Sequence, residues 1–180
     1  FAVIDTETNW NNEVMSIGVV IAEKDTFKKV DELYFICDPE YKIGGMFSMV
    51  LPVKGRSPKD ILFTRKIAIE KFKVAFEQYG VRDLFAYNGS FDKNLLTELE
   101  SYRWFDIMKI AAYRQYNDKI PASIECCKTG KMKRNYGVEP MMQLLSGNHR
   151  YTEVHNALYD AADELEIMRM LGKTLEEYIV

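Results

Sequence analysis

Apolar and polar residues follow one another along this chain in the pattern of an α/β protein. Phe1-Ala2-Val3-Ile4 is an apolar run that leads directly into the polar residues Asp5-Thr6-Glu7-Thr8. Such a run predicts a buried strand at the centre of a sheet. Two more strands are predicted over 14–22 and 29–37, and the short turns between these strands indicate antiparallel pairing.

The rest of the chain alternates helical and strand patterns. Strands are predicted over 83–87 and 104–107, the second leading into a helix that runs to Tyr113. Strand, helix and strand at this spacing indicate parallel pairing through a right-handed crossover. Residues 38–58 and 114–135 are predicted loops, with a small hairpin in the second at Thr129-Gly130. Apolar residues at helical spacing predict the other helices, which cover 64–79, 91–102, 139–146 and 156–171.

Together these elements predict one α/β domain over residues 1–180. Its sheet is expected to have five strands, the first three antiparallel and the later ones parallel, with helices packed on it. A chain of 180 residues is long enough to bury about 70% of its unfolded surface. Repeats and composition shifts that would divide it are absent from the sequence.

Composition narrows the class of protein. The chain is 47% hydrophobic and 28% charged, as soluble globular proteins are. No apolar run approaches the roughly 20 residues of a membrane helix. The cysteines Cys37, Cys126 and Cys127 form no Cys-x-x-Cys pair, which argues against a disulfide framework and a zinc site. We therefore expect a protein of a reducing compartment, most simply the cytoplasm.

The net charge of −3 arises from 24 basic and 27 acidic residues. If four of the acids bind metal ions, the remaining 24 basic and 23 acidic residues (27 − 4) nearly balance. An acidic chain of this kind can therefore act on a substrate that carries phosphate. Bulk basicity is excluded as the source of any affinity for nucleic acid.

Asp5 and Glu7 are the first candidates for chemistry. Side chains alternate along a strand, so both carboxylates point to the same face, roughly 6.5–7 Å apart along it. Two like charges at the end of a buried strand are costly unless a cation neutralises them. Oxygen ligands of this type favour Mg²⁺ or Mn²⁺. The alternative is a strand that ends in a solvated polar turn.

Further acids lie at the starts of two predicted helices. Asp92 falls within the buried stripe of its helix, where it is either a ligand or an acid that satisfies free N–H groups of the first turn. Asp160 lies about 130° from the apolar stripe of the last helix. By helical geometry Asp160, with Asp163 and Glu164 on the same side, can equally be a surface acid. His155 precedes this helix, where packing or capping is the usual role.

Three segments of the chain, taken together, resemble the motifs of the DEDDh family of exonucleases. They are Asp5-Thr6-Glu7-Thr8, Asn88-Gly89-Ser90-Phe91-Asp92 and the segment from His155 to Ala161, which reads His-Asn-Ala-Leu-Tyr-Asp-Ala. This family includes the proofreading epsilon subunit of bacterial DNA polymerase III, oligoribonuclease and RNase T. The resemblance extends from Asp5 to Asp160, whereas the 38–58 and 114–135 segments match no subfamily.

The resemblance implies an RNase H-like fold with strand order 3-2-1-4-5. It further implies 3′-5′ exonuclease activity on single-stranded DNA or RNA, with nucleoside 5′-monophosphates as products. Two Mg²⁺ or Mn²⁺ ions are expected as cofactors and nucleic acid 3′ ends as the partner. The residues implied to act are the metal ligands Asp5, Glu7, Asp92 and Asp160, the general base His155, and the substrate contacts Thr8, Asn88 and Phe91.

Two other functions stay open at this point. One is a non-catalytic nucleic-acid-binding or scaffold domain on the same fold, which the presence of all five motif residues disfavours. The other is a hydrolase of short oligonucleotides, which the dependence of the rate on chain length would distinguish from an enzyme that degrades polymers.

Overall fold

Six strands form a mixed sheet in the computed structural model, which describes residues 1–179. Strand β1 lies inside this sheet, antiparallel to β2 on one side and parallel to β5 on the other. Strand β3 is antiparallel to β2 and parallel to β4, and β6 is parallel to β5. The strands are β1 (Ala2–Thr8), β2 (Val14–Ala22), β3 (Lys29–Cys37), β4 (Leu62–Phe63), β5 (Asp83–Ala86) and β6 (Arg103–Asp106).

The mixed sheet is confirmed, but the predicted count of five strands and the order 3-2-1-4-5 are wrong. The sheet has six strands in the order β4-β3-β2-β1-β5-β6. The difference is β4, in which Leu62 and Phe63 pair with the end of β3. A strand of two residues is too short to show the alternation that reveals a strand in a sequence.

Six α-helices accompany the sheet in the described part of the chain. Thr64 caps α2 by accepting a hydrogen bond from the Ile67 N–H, and the Asn156 side chain caps α6 by accepting one from the Leu158 N–H. None of the described helices has the length and apolar character to cross a membrane. The helices are α1 (Pro58–Ile61), α2 (Arg65–Tyr79), α3 (Ser90–Leu95), α4 (Ile107–Ala111), α5 (Val138–Ser146) and α6 (Ala157–Leu171).

Three predictions about local structure need correction. The helix predicted over 91–102 ends at Leu95, because the chain leaves helical geometry at Leu96 (φ −109°, ψ 55°) to bury that side chain before a 3₁₀ turn. The helix after β6 ends at Ala111 instead of Tyr113. The hairpin predicted at Thr129-Gly130 does form but is shorter than expected, since a single antiparallel bridge joins Cys126 to Met132.

The sheet separates two layers of buried side chains. Ile4, on one face of β1, packs in the layer that includes Phe72 and Phe76 of α2. Val3, on the opposite face, packs in the layer that includes Leu158 of α6. Because side chains alternate along a strand, Asp5 and Glu7 share the face of Val3 and point toward the side of the sheet that α6 covers.

The start of α6 lies directly against the backbone of β2. Gly18 of β2 pairs with Asp5 of β1, and a Cβ atom placed on Gly18 would lie 2.1 Å from the carbonyl oxygen of Ala157. No side chain fits in that space, so glycine at this position allows the first turn of α6 to rest beside the acids of β1. The close approach brings Asp160 to the site described below.

We predict that Gly18→Ala destabilises the protein by about 1–3 kcal/mol or more, because the atoms in conflict belong to two backbones that cannot both move freely. For a chain of this size each kcal/mol lowers the melting temperature by about 2–4 °C. Chemical denaturation and thermal melts measure the effect. Gly137→Ala is the matched control, since the nearest atom to its added Cβ is 4.0 Å away. Equal stability of the two variants would contradict the close contact.

Candidate metal centre

Carboxylates from the first strand and the last helix meet at the end of β1. Asp5, Glu7 and Asp160 each offer an oxygen atom within 4.8 Å of the other two. Asp5 is half-buried and Glu7 is buried. The alternative of a strand that ends in a solvated polar turn is therefore wrong. Residues distant in sequence thus converge as the motif resemblance implied.

The surface alternative for Asp160 is wrong. Its side chain is only 4% exposed, and its Oδ1 atom has no hydrogen-bond partner among the described residues. The apolar stripe of α6 identifies the side that packs on the core, whereas the first turn of α6 also faces the end of β1. A second side of the helix is therefore buried there, against other acids.

Asp92 joins the same region from the start of α3. It is 2% exposed and accepts a hydrogen bond from the Thr6 hydroxyl of β1 at 2.7 Å. The N-cap position belongs to Gly89, so Asp92 does not cap through its side chain there, although it accepts a hydrogen bond from its own N–H. The Thr6 bond ties this carboxylate to the strand that carries Asp5 and Glu7.

His155 lies just before α6, with a ring nitrogen within 4.8 Å of a carboxylate oxygen of Asp160. The N-cap of α6 is Asn156, and the His155 backbone has a left-handed φ of 59°. Its imidazole stacks on Phe47, with ring centroids 4.2 Å apart and an interplanar angle of 17°, so the packing role foreseen for it does exist. Its Nδ1 atom is 3.9 Å from the nearest carboxylate oxygen of Glu153. One face of the ring is covered while the edge faces carboxylates.

Two acids near the site were missed as candidates by sequence reasoning. Glu164 is 1% exposed, its Oε2 atom has no described partner, and its carboxyl is hydrogen-bonded to the Tyr87 backbone. A signal existed, because Glu164 follows Asp160 by one helical turn and must share its direction. Glu153 belongs to a loop without periodicity, and nothing in the sequence around it distinguished it.

Burial raises the pKa of every carboxyl group at the centre. The pKa of Glu7 rises to about 8, that of Asp160 to about 8 and that of Asp92 to about 7, in each case mainly through loss of hydration. The pKa values of Asp5 and Glu164 are also well above the ordinary range, through burial and then the charge of Asp92. Without a cation these groups cannot all ionise at neutral pH.

The residues fit a divalent metal. The donor set of Asp5, Glu7 and Asp160 contains oxygen atoms alone, which suits Mg²⁺ or Mn²⁺. The unpartnered Oδ1 atom of Asp160 needs a cation or a donor to offset its burial. Asp92 lies close enough for its charge to act on Asp5 and Glu7.

The three residues expected to contact substrate lie close in sequence to acids of this centre. Thr8 ends β1 and is half-buried. Asn88 is exposed, and its backbone N–H donates to the Asp106 carboxylate at 3.0 Å. Phe91 is 43% exposed, which removes the possibility that it is a core residue. Their contact with a nucleotide stays a prediction.

No family model and no curated protein matches the chain. Solved structures do match it. The nuclease domain of 3′hExo, described as a DEDDh family member bound to rAMP, aligns with a TM-score of 0.62 and 19% identity over 95% of this chain and 90% of that one. The chain has the fold of the DEDDh 3′-exonucleases.

Two further solved structures share this fold. Exonuclease X, in complex with 5′ overhanging duplex DNA, aligns with a TM-score of 0.53 and 20% identity over 98% of this chain and 96% of that one. The 3′-exonuclease that recognises a histone mRNA stem-loop aligns with a TM-score of 0.64 and 19% identity over 94% of this chain. This chain spans 62% of the length of the latter protein.

We predict that the metal-free protein becomes less stable as pH rises from about 5 to about 8. The carboxyl groups have folded-state pKa values above their unfolded ones, so in this interval the unfolded chain releases protons that the folded chain retains. The free energy of unfolding therefore falls with pH, and the loss is complete above the folded pKa values. Thermal melts in EDTA should show the decline, and millimolar Mn²⁺ should reduce it by stabilising the native state.

Glu164→Gln provides the matched variant for this prediction. Glutamine keeps an acceptor for the Tyr87 N–H and resembles the protonated acid, so it removes one of the groups that must ionise. In EDTA the variant should melt close to wild type near pH 5 and several degrees higher near pH 8. If the wild-type melting temperature in EDTA rises between pH 5 and pH 8, the raised pKa values of these carboxyl groups are contradicted.

Proposed function

We propose that this chain is a 3′-5′ exonuclease that hydrolyses phosphodiester bonds at the 3′ ends of single-stranded DNA or RNA and releases nucleoside 5′-monophosphates. The observation that carries the proposal is the convergence of Asp5, Glu7 and Asp160 within 4.8 Å, with a ring nitrogen of His155 within the same distance of Asp160. The fold shared with solved 3′-exonucleases supports it.

Four acids would hold the metal ions in this proposal. Asp5, Glu7, Asp92 and Asp160 would bind two ions, Mg²⁺ or Mn²⁺. When bound, such ions supply Lewis-acid activation of water and of the phosphate and stabilise the leaving oxygen. The protein contributes buried, mutually repelling carboxylates, whose repulsion favours occupancy of the site.

His155 would act as the general base. Histidine is the side chain that accepts and releases protons near neutral pH. Its half-buried ring lies on Phe47, and its edge faces the acids, where a water molecule that attacks the phosphate would lose its proton. The loop before α6 allows this ring to adjust when substrate binds.

Three side chains that neighbour the acids in sequence would contact the terminal nucleotide. Phe91 presents an accessible ring one position from Asp92, where it can stack on a base. Asn88 offers an exposed amide at the turn between β5 and α3. Thr8 offers a hydroxyl at the end of β1. Nucleic acid with a free 3′ end is accordingly the proposed partner.

The test is incubation with 5′-labelled single-stranded DNA and RNA in Mg²⁺, in Mn²⁺ and in EDTA. We expect a ladder of products shortened from the 3′ end with either metal and none in EDTA. His155→Asn should lose about 10²–10⁴-fold in turnover, as expected for a positioned base. Binding of Mn²⁺ should persist in this variant. His149→Asn is the control, because His149 is exposed and lies outside the acidic cluster.

Two outcomes would contradict the proposal at different levels. If the wild-type protein leaves both labelled strands intact with either metal, the exonuclease assignment fails. If His155→Asn degrades 3′ ends at nearly the wild-type rate with an unchanged pH profile, the metal centre stands and another group is the base. Comparing the rates on a dinucleotide and a long strand separates a hydrolase of short oligonucleotides from an enzyme that degrades polymers.

A further inference from the structure

A second group of metal-binding side chains overlaps the acidic centre. Glu153, His155 and Asp160 each offer a ligand atom within 4.8 Å of the other two. Glu153 and His155 are half-buried and Asp160 is buried. The buried Oδ1 atom of Asp160 has no described hydrogen-bond partner, so a carboxylate of this group has a free lone pair. Only Asp160 is common to both groups.

The donors of this second group differ in chemistry from those of the first. Asp5, Glu7 and Asp160 provide oxygen alone, whereas Glu153, His155 and Asp160 provide an imidazole nitrogen and two carboxylates. Mg²⁺ prefers oxygen ligands, while Zn²⁺ binds imidazole readily and accepts three protein ligands with a water molecule as the fourth. The second group is therefore expected to bind Zn²⁺ in preference to Mg²⁺.

The side chains are already held near the required positions. Zinc ligands at about 2.0–2.2 Å in a tetrahedron lie roughly 3.3 Å from one another. The His155 Nδ1 atom is 3.9 Å from the Glu153 Oε2 atom, close to that spacing. Stacking on Phe47 orients the His155 ring. The Glu153 N–H donates to the Glu139 carboxylate at 2.9 Å, which anchors the loop to α5.

We propose that Glu153, His155 and Asp160 form a Zn²⁺ site whose occupancy inhibits the enzyme. Zinc at this position takes the lone pair of His155 and engages Asp160, so the same two side chains are no longer free for proton transfer and for the Mg²⁺ centre. The site itself follows from the donor geometry. The inhibitory consequence rests on the exonuclease function proposed above.

Binding is measured first, without reference to activity. Co²⁺ is the spectroscopic probe for Zn²⁺, since its visible absorption reports a nitrogen-containing, four-coordinate site. With Mg²⁺ present in excess, wild-type protein should bind one Co²⁺ with this absorption, and Zn²⁺ should displace it. Glu153→Gln and His155→Asn should each weaken binding at least about 10-fold to 100-fold. Glu166→Gln, on the same helix as Asp160 but outside the group, should bind as wild type does.

Inhibition is measured second, with each variant normalised to its own rate in Mg²⁺. Micromolar Zn²⁺ should inhibit wild type and Glu166→Gln, whereas Glu153→Gln should need at least about 10-fold more Zn²⁺ for the same inhibition. Circular dichroism and thermal melts establish that each variant is folded.

The site is overturned if Glu153→Gln and His155→Asn leave the Co²⁺ absorption and affinity unchanged, or if wild type shows no such absorption. The inhibitory consequence is overturned if Zn²⁺ binds there while the Mg²⁺-supported rate is unaffected. A protein that binds Co²⁺ through these residues but degrades no nucleic acid would refute the exonuclease proposal and leave the zinc site standing. The two proposals therefore fail through different measurements.

Discussion

The constraint on which the site depends is the burial of mutually repelling carboxylates. Asp5, Glu7, Asp92, Asp160 and Glu164 all have raised pKa values, with burial as the largest cause. A chain accepts this cost only where another interaction offsets it. A bound cation would do so, and the buried oxygens of Asp160 and Glu164 that have no hydrogen-bond partner among the described residues are the atoms it would serve. Metal binding at this centre, if it follows the function proposed above, would therefore be coupled to folding.

The fold brings these charges together through a contact between two backbones. Gly18 lets the first turn of α6 rest on β2, opposite Asp5 in the sheet. The Thr6 hydroxyl then connects Asp92 of α3 to β1. Helix α6 is thus held against β2, and α3 is joined to β1, by short contacts. Side-chain packing elsewhere in the two core layers stabilises the domain, but these contacts determine the separation of the acids.

The position of His155 allows it either to accept a proton or to bind a metal ion. Its ring is oriented by Phe47 and faces both Glu153 and Asp160. A neutral imidazole in that place can accept a proton or bind a transition metal, and it cannot do both at once. His155, the proposed general base, would then also be a ligand through which zinc inhibits the enzyme. Glu153, which no motif includes, is the ligand that the zinc proposal adds to the motif residues His155 and Asp160.

The sequence by itself determined the mixed α/β architecture, the interior position of β1 and the motif residues, because apolar periodicity and residue spacing are local properties. Tertiary structure decided the rest. Strand β4 exists because β3 has a free edge for Leu62 and Phe63 to pair with. Asp160 and Glu164 are buried because α6 meets the end of β1, a contact that the apolar stripe of a single helix does not encode. Burial depends on what lies opposite a side chain, and that is a property of the assembled fold.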